Sequence, residues 1–137
     1  MKKLLFLCFS LILTVMSVEA QKKSAADNPF FKPYNTPFDV PPFDKIKEEH
    51  YLPAFERGLK EAYADIKKIT DNKQAPNFAN TIEALEFSGE LLQRVSSVFF
   101  NLVSSNSTPG MQKIAQEITP KLSKFSNDIL FNEKLFT

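Results

Sequence analysis

The sequence predicts an all-α protein: a helical hairpin-type array of about three helices preceded by an extended Pro/Phe-rich strap. Three observations carry this. Apolar residues recur at three- and four-residue steps over three long stretches. No stretch of any length alternates apolar and polar residues as a half-buried strand does. The prolines cluster ahead of the first periodic stretch, and the chain holds only 3 glycines among 137 residues, too few for a turn-rich sheet protein.

From Asn28 to Asp44 the sequence NPFFKPYNTPFDVPPFD excludes a helix. Pro29, Pro33, Pro37, Pro41 and Pro42 fix φ, remove donors and push the residues before them to extended geometry. Phe30, Phe31, Tyr34, Phe38 and Phe43 are interleaved with them. Such a stretch either presents a polyproline ligand to an aromatic groove or straps its rings onto the helices that follow. The strap is the preferred reading, because aromatic rings supply large burial area.

Leu52, Phe55, Leu59, Ala62, Ile66 and Ile69 then form a narrow apolar stripe among charged residues. This predicts a surface helix from about Pro53 to Thr70, with proline at its first position and Asp71-Asn72 at its exit. In the stretch Asn77 to Asn106, Asn80 and Glu83 have capping-box spacing, so a helix is expected from near Thr81 to Ser105. Ile82, Leu85, Gly89, Leu92, Val95 or Ser96, Phe99, and Leu102 or Val103 mark its inner face, and Glu90 and Arg94 are spaced to pair. The consecutive Val98, Phe99 and Phe100 point in several directions at once, which predicts apolar surface in excess of what neighbouring helices cover. This stretch is read as the central helix. Thr108 and Pro109 start a third helix with Met111, Ile114, Ile118, Leu122, Phe125 and Ile129 inward; Pro120 is expected to kink it without ending it. Asn132 to Thr137 reads as a new cap and first turn.

Ahead of the strap, Met1-Lys2-Lys3 is a short basic start and Leu4 to Val18 is almost wholly apolar; Val18-Glu19-Ala20 offers a cleavage site. Residues 1–20 are expected to be a Sec-type signal peptide, which places the protein in the periplasm or outside the cell. Cys8 follows a large leucine inside the apolar run, so it is read as a signal residue and not a lipidation site. Cleavage takes away Lys2, Lys3 and Glu19, so the 17 basic and 16 acidic side chains become 15 of each. A balanced charge gives no field for nucleic acid, and no stable membrane association is expected after signal removal. The only cysteine leaves with the signal, so packing alone must hold the domain.

The remaining chemistry is sparse. His50 is the single histidine, placed for capping or packing at the entry to the first helix, and no HExxH, CxxC or carboxylate cluster accompanies it. No serine sits in a nucleophile-elbow context, and no glycine-rich phosphate loop occurs. The residues themselves assign no catalytic, cofactor-binding or metal site. Glu48-Glu49 and Lys67-Lys68 read as solvated helix charge. Asn106-Ser107-Thr108 fits both a glycosylation sequon and a helix-capping loop.

Three phrases go further: FDKIKEEHYLPAFERG, NFANTIEALE and VSSVFFNLVSSN. With their surroundings, over residues 28 to 136, they resemble the N-terminal region of the M3 family of zinc metallopeptidases, in its peptidyl-dipeptidase and oligopeptidase A branch. The resemblance implies a helical wall beside a deep channel. It also implies an HExxH zinc helix much further along, where two histidines and a downstream glutamate bind zinc and the HExxH glutamate activates water. None of those ligands maps onto this sequence, so no cofactor is expected in this chain, although zinc serves the full-length family. The implied division is 1–20 signal peptide, 21–44 leader and strap, and 45–137 N-terminal helical domain truncated before the catalytic domain. Its expected partners are that missing C-terminal catalytic domain and, in full-length form, an oligopeptide substrate. Alone it is expected to be inactive. The alternative is a self-sufficient periplasmic helical binding or scaffold module.

Overall fold

The computed structural model describes residues 27–136, so the expectations for the signal peptide and Cys8 lie outside the described residues. Among the described residues the protein is all-α, without strands. Two short 3-10 turns, Pro29–Phe31 and Pro37–Asp39, shape the strap. They lead into α1 (Glu48–Thr70), a π-helical segment (Phe78–Glu83) running into α2 (Ala84–Glu86), then α3 (Glu90–Ser105), α4 (Pro109–Leu130) and α5 (Glu133–Phe136).

Helix α1 begins five residues before Pro53, which therefore lies inside the helix and not at its first position. The upstream start is held by His50, whose Nδ1 accepts the Lys47 backbone N–H at 3.0 Å. The charge of Glu48 and Glu49 also favours a helix N-terminus. The exit at Asp71 is as expected, with its N–H bonded to the Lys67 carbonyl at 2.9 Å.

The stretch expected as one helix from Thr81 to Ser105 is divided. Its cap is Asn77, three residues earlier than the spacing suggested: Asn77 and Asn80 each accept the other's backbone N–H at 2.9 Å. The chain then breaks after Glu86 and restarts through Gly89, which adopts φ +69. Two features of α1 hold that restart. The Gly89 N–H donates to Asp65 Oδ2 at 3.3 Å, and a Cβ on Gly89 would lie 3.0 Å from that of Ala62. Gly89 thus does mark a close approach, but in a left-handed turn and not on a helix face. Arg94 does not pair with Glu90 among the described residues; its guanidinium lies over the Tyr34 ring at 5.5 Å.

Helix α1, and not the 81–105 stretch, is the centre, packing most extensively on α3 and next on α4. At the α1–α3 crossing, Gly58 has no room for a side chain: a Cβ would lie 2.9 Å from Leu92 Cα. Around it the core joins Phe30, Tyr51, Phe55, Leu59, Leu92, Val95 and Phe99 to Met111 and Ile118 of α4. Tyr51 and Phe55 each meet Phe99 edge-on, with ring centroids at 4.9 and 5.3 Å. Val98 and Phe99 are buried, so the predicted excess of surface there reduces to a partly exposed Phe100. Helix α4 starts as expected, Thr108 Oγ1 accepting the Met111 N–H at 3.1 Å, and runs through Pro120 to Leu130. Asn132 caps the last turn, accepting from Lys134 N at 3.1 Å.

Candidate functional site

The strap meets α1 around one buried polar residue. Asn28 is fully buried; its Nδ2 donates to the His50 carbonyl at 2.8 Å while its Oδ1 accepts the Phe30 N–H at 3.1 Å. A buried amide without such partners would cost about 1–3 kcal/mol, so these bonds fix the strap to the first turn of α1. Phe30 then stacks against Tyr51 at 5.5 Å, and the Arg57 guanidinium covers Phe31 at 4.4 Å. Burial pushes both the Tyr34 and Tyr51 phenols above their ordinary pKa, with the Arg94 charge partly opposing this at Tyr34. The Tyr34 hydroxyl is buried with no hydrogen-bond partner in the structure. An open cleft of about 630 Å³ lies alongside, walled by Lys32, Tyr34, Pro42, Lys45, Lys47 and His50.

The strap reading holds for three of its five rings. Phe30 is buried and Phe31 and Tyr34 pack against the core, whereas Phe38 is 98% exposed and Phe43 about half exposed. Phe38 and Asp39 both have positive φ, 58° and 53°, a conformation that costs a bulky residue roughly 1–3 kcal/mol. Bonds from Asp39 N to the Thr36 carbonyl and from Thr36 Oγ1 to the Val40 carbonyl hold that tip.

His50 takes the capping role weighed for it and is buried. Its Nδ1 is occupied as an acceptor, and its nearest carboxylate oxygen, Glu49 Oε1, is 3.9 Å from Nε2. No group of three or more His, Cys, Asp or Glu among the described residues could hold a metal ion. The donor set of a peptidase zinc site therefore does not fit the residues present. No helix among them is long and apolar enough to cross a membrane. The charged residues read as solvated are exposed, and they make surface contacts: Glu48 accepts from Thr108 Oγ1 at 2.6 Å, Lys67 pairs with Asp71, and Lys68 pairs with Asp65 at 2.8 Å. Thr108 is thus engaged both as helix cap and as a tie between α4 and α1, whereas Asn106 is exposed.

The other surface feature is a set of apolar side chains around the π-helical segment and the C-terminal end; among them Ile82, expected on the inner face of the 81–105 helix, is 55% exposed and lies on the π-helical segment ahead of the break at Gly89. Phe78 and Ile82 on the π-helix, Phe87 after α2, and Leu130, Phe131 and Phe136 at the C-terminal end are all exposed. A small cleft of about 160 Å³ lies where these segments meet, between Ile69 and Thr70 of α1, Asn80 and Thr81, and Lys134 and Leu135 of α5.

The described residues thus form a helical array with a closed aromatic core and with exposed apolar side chains towards both ends of α1. Comparison with known proteins finds the chain homologous to an N-terminal region of dipeptidyl carboxypeptidase and oligopeptidase A, peptidases of the M3 family. It is 42% identical over 109 residues to dipeptidyl carboxypeptidase of Escherichia coli K12, and 39% identical over 109 residues to that of Salmonella typhimurium LT2. Oligopeptidase A of Escherichia coli K12 is 27% identical over 104 residues. The first two matches take in 80% of this chain and 16% of the relative, so the chain spans about a sixth of the length of the curated relatives it matches. No family model matches the chain.

Proposed function

We propose that this chain is the non-catalytic N-terminal helical segment of an exported zinc metallopeptidase that in full-length form cleaves short peptides, releasing dipeptides from the C-terminus. The observation that carries the reading is the 42% identity with a dipeptidyl carboxypeptidase over 109 residues. Its role is to form a wall, with zinc and the general base supplied by polypeptide outside the described residues. Export rests on the basic start, apolar run and small-residue site of residues 1–20.

The test is a chimera in which residues 28–136 replace the matched segment of the Escherichia coli dipeptidyl carboxypeptidase. The chimera is expected to release C-terminal dipeptides from a blocked oligopeptide in the presence of zinc, and the 137-residue chain alone to release none. A folded but inactive chimera, or dipeptide release by the chain alone, overturns the reading. For export, the protein recovered from the periplasm should begin at Gln21 by mass spectrometry; an intact Met1 there, or protein confined to the cytoplasm, counts against it.

A second reading, the self-sufficient binding or scaffold module, is favoured by the closed core, in which Phe30, Phe55 and Phe99 are all fully buried. It expects the chain to melt cooperatively and to bind no hydrophobic dye.

A further inference from the structure

Two sets of exposed apolar side chains lie towards the two ends of α1. Before its first turn the strap displays Phe38, Val40 and Phe43, at 98, 48 and 49% exposure. Around its last turn, on the segments that enclose the cleft at Ile69 and Thr70, stand Phe78, Ile82, Leu130, Phe131 and Phe136, at 72, 55, 62, 81 and 65%. Between the two sets runs a helix of 23 residues, about 34 Å at the α-helical rise. A soluble monomer carries single exposed apolar residues without consequence, but two aromatic groups of this kind mark a surface that something covers.

We infer that both ends of α1 are docking points for one domain-sized partner, the polypeptide corresponding to the part of the M3-type relatives that lies beyond the match. The inference rests on the functional reading above and names the surface through which it acts. Three observations choose this occupant. A peptide of fewer than about nine residues does not reach both sets across about 34 Å even when fully extended. More than five times the matched length lies outside the match in each dipeptidyl carboxypeptidase, enough for a partner of domain size. The Phe38 tip is held in a strained left-handed turn by its own local bonds, so the ring is presented before any partner arrives. Binding to a preset side chain avoids the ordering cost that a mobile one incurs.

The test places single cysteines at Phe38→Cys, Phe78→Cys and Phe131→Cys and follows their reaction with a thiol reagent, by mass at the introduced residue. These positions make no core contacts, so the variants are expected to keep the helical content and melting of the unaltered chain. In the 137-residue chain all three should label at the rate of an exposed thiol. In the chimera all three should label more slowly by about tenfold or more, because reaction then requires local opening of the interface. Unchanged rates in the chimera overturn the inference. So does slow, concentration-dependent labelling of the isolated chain, which identifies a second copy as the occupant. Protection at one end only also overturns it, since the partner then does not bridge α1. Peptidase activity separates the two claims: an active chimera with freely labelled cysteines removes the docking surface and keeps the function. A folded, inactive chimera with protected cysteines does the reverse.

Discussion

Phe99 and Phe131 are the same side chain in one short helical chain, and they end in opposite surroundings. Phe99, on α3, is fully buried at the α1–α3 seam, with Tyr51 and Phe55 edge-on to its ring. Phe131 follows the last residue of α4 and is 81% exposed. Residue type does not separate them, and the difference is supplied by what the chain brings opposite each ring. At the seam, Gly58 and Ala62 on α1 are small enough for α3 and its preceding turn to come close, and the large rings of Tyr51 and Phe55 fill the space beside that approach. At the C-terminal end the described residues bring no such close approach to Phe131, and the ring faces solvent.

The comparison breaks first if truncating the two rings has similar effects. Phe99→Ala should lower the unfolding free energy by about 3–5 kcal/mol, enough to abolish a cooperative urea transition in a domain of this size. Phe131→Ser should stay within about 0.5 kcal/mol in the same titration. Gly58→Ala comes next, because the added methyl meets the Leu92 backbone and not the end of a flexible side chain. A loss of about 1–3 kcal/mol is expected, read as a lower Tm by circular dichroism. Gly89→Ala adds a methyl at 3.0 Å from Ala62 Cβ in a left-handed turn and should cost about 1–2 kcal/mol. Gly89→Asn should cost less backbone strain if the turn and not the contact dominates.

The smallest effect is electrostatic. The Asp65 carboxylate accepts from Lys68 Nζ and the Gly89 N–H, and those bonds hold its pKa below the ordinary value. A depressed carboxylate stabilises the fold above its unfolded pKa and loses that contribution as pH falls through the folded one. Stability should therefore decline below about pH 4, and Asp65→Asn should flatten that part of the pH profile. An unchanged acid limb in Asp65→Asn would remove Asp65 from the account of how α3 is started.

What the sequence made legible follows the same division between local and distant causes. Thr108 and Pro109 announce α4 because cap and first turn are contiguous, and the apolar phase from Met111 to Ile129 carries through Pro120. The break at Gly89 was not legible, since it depends on Ala62 and Asp65, more than 20 residues away in sequence. The sequence points to Asn80 as the cap, whereas Asn77 caps and Asn80 is its reciprocal partner, because two asparagines three apart offer the same chemistry in either register. Pro53 pointed to a later start for α1, and the His50 imidazole, capping Lys47, outweighed it. The exposed rings were not legible either: a phenylalanine carries no mark of whether a partner lies within the chain. The peptidase relationship is legible in whole phrases of the sequence and not in any reactive residue.

The Asn28 tie has a consequence for proteolysis. Phe38, an exposed aromatic at a loop tip, is the kind of bond at which a protease with aromatic preference nicks a folded chain. The segment before it is held independently of the peptide bond there, through Asn28 to the His50 carbonyl and through Phe30 against Tyr51. Cutting after Phe38 therefore divides the chain into two covalent pieces that travel as one particle, separating on a denaturing gel but not on a sizing column.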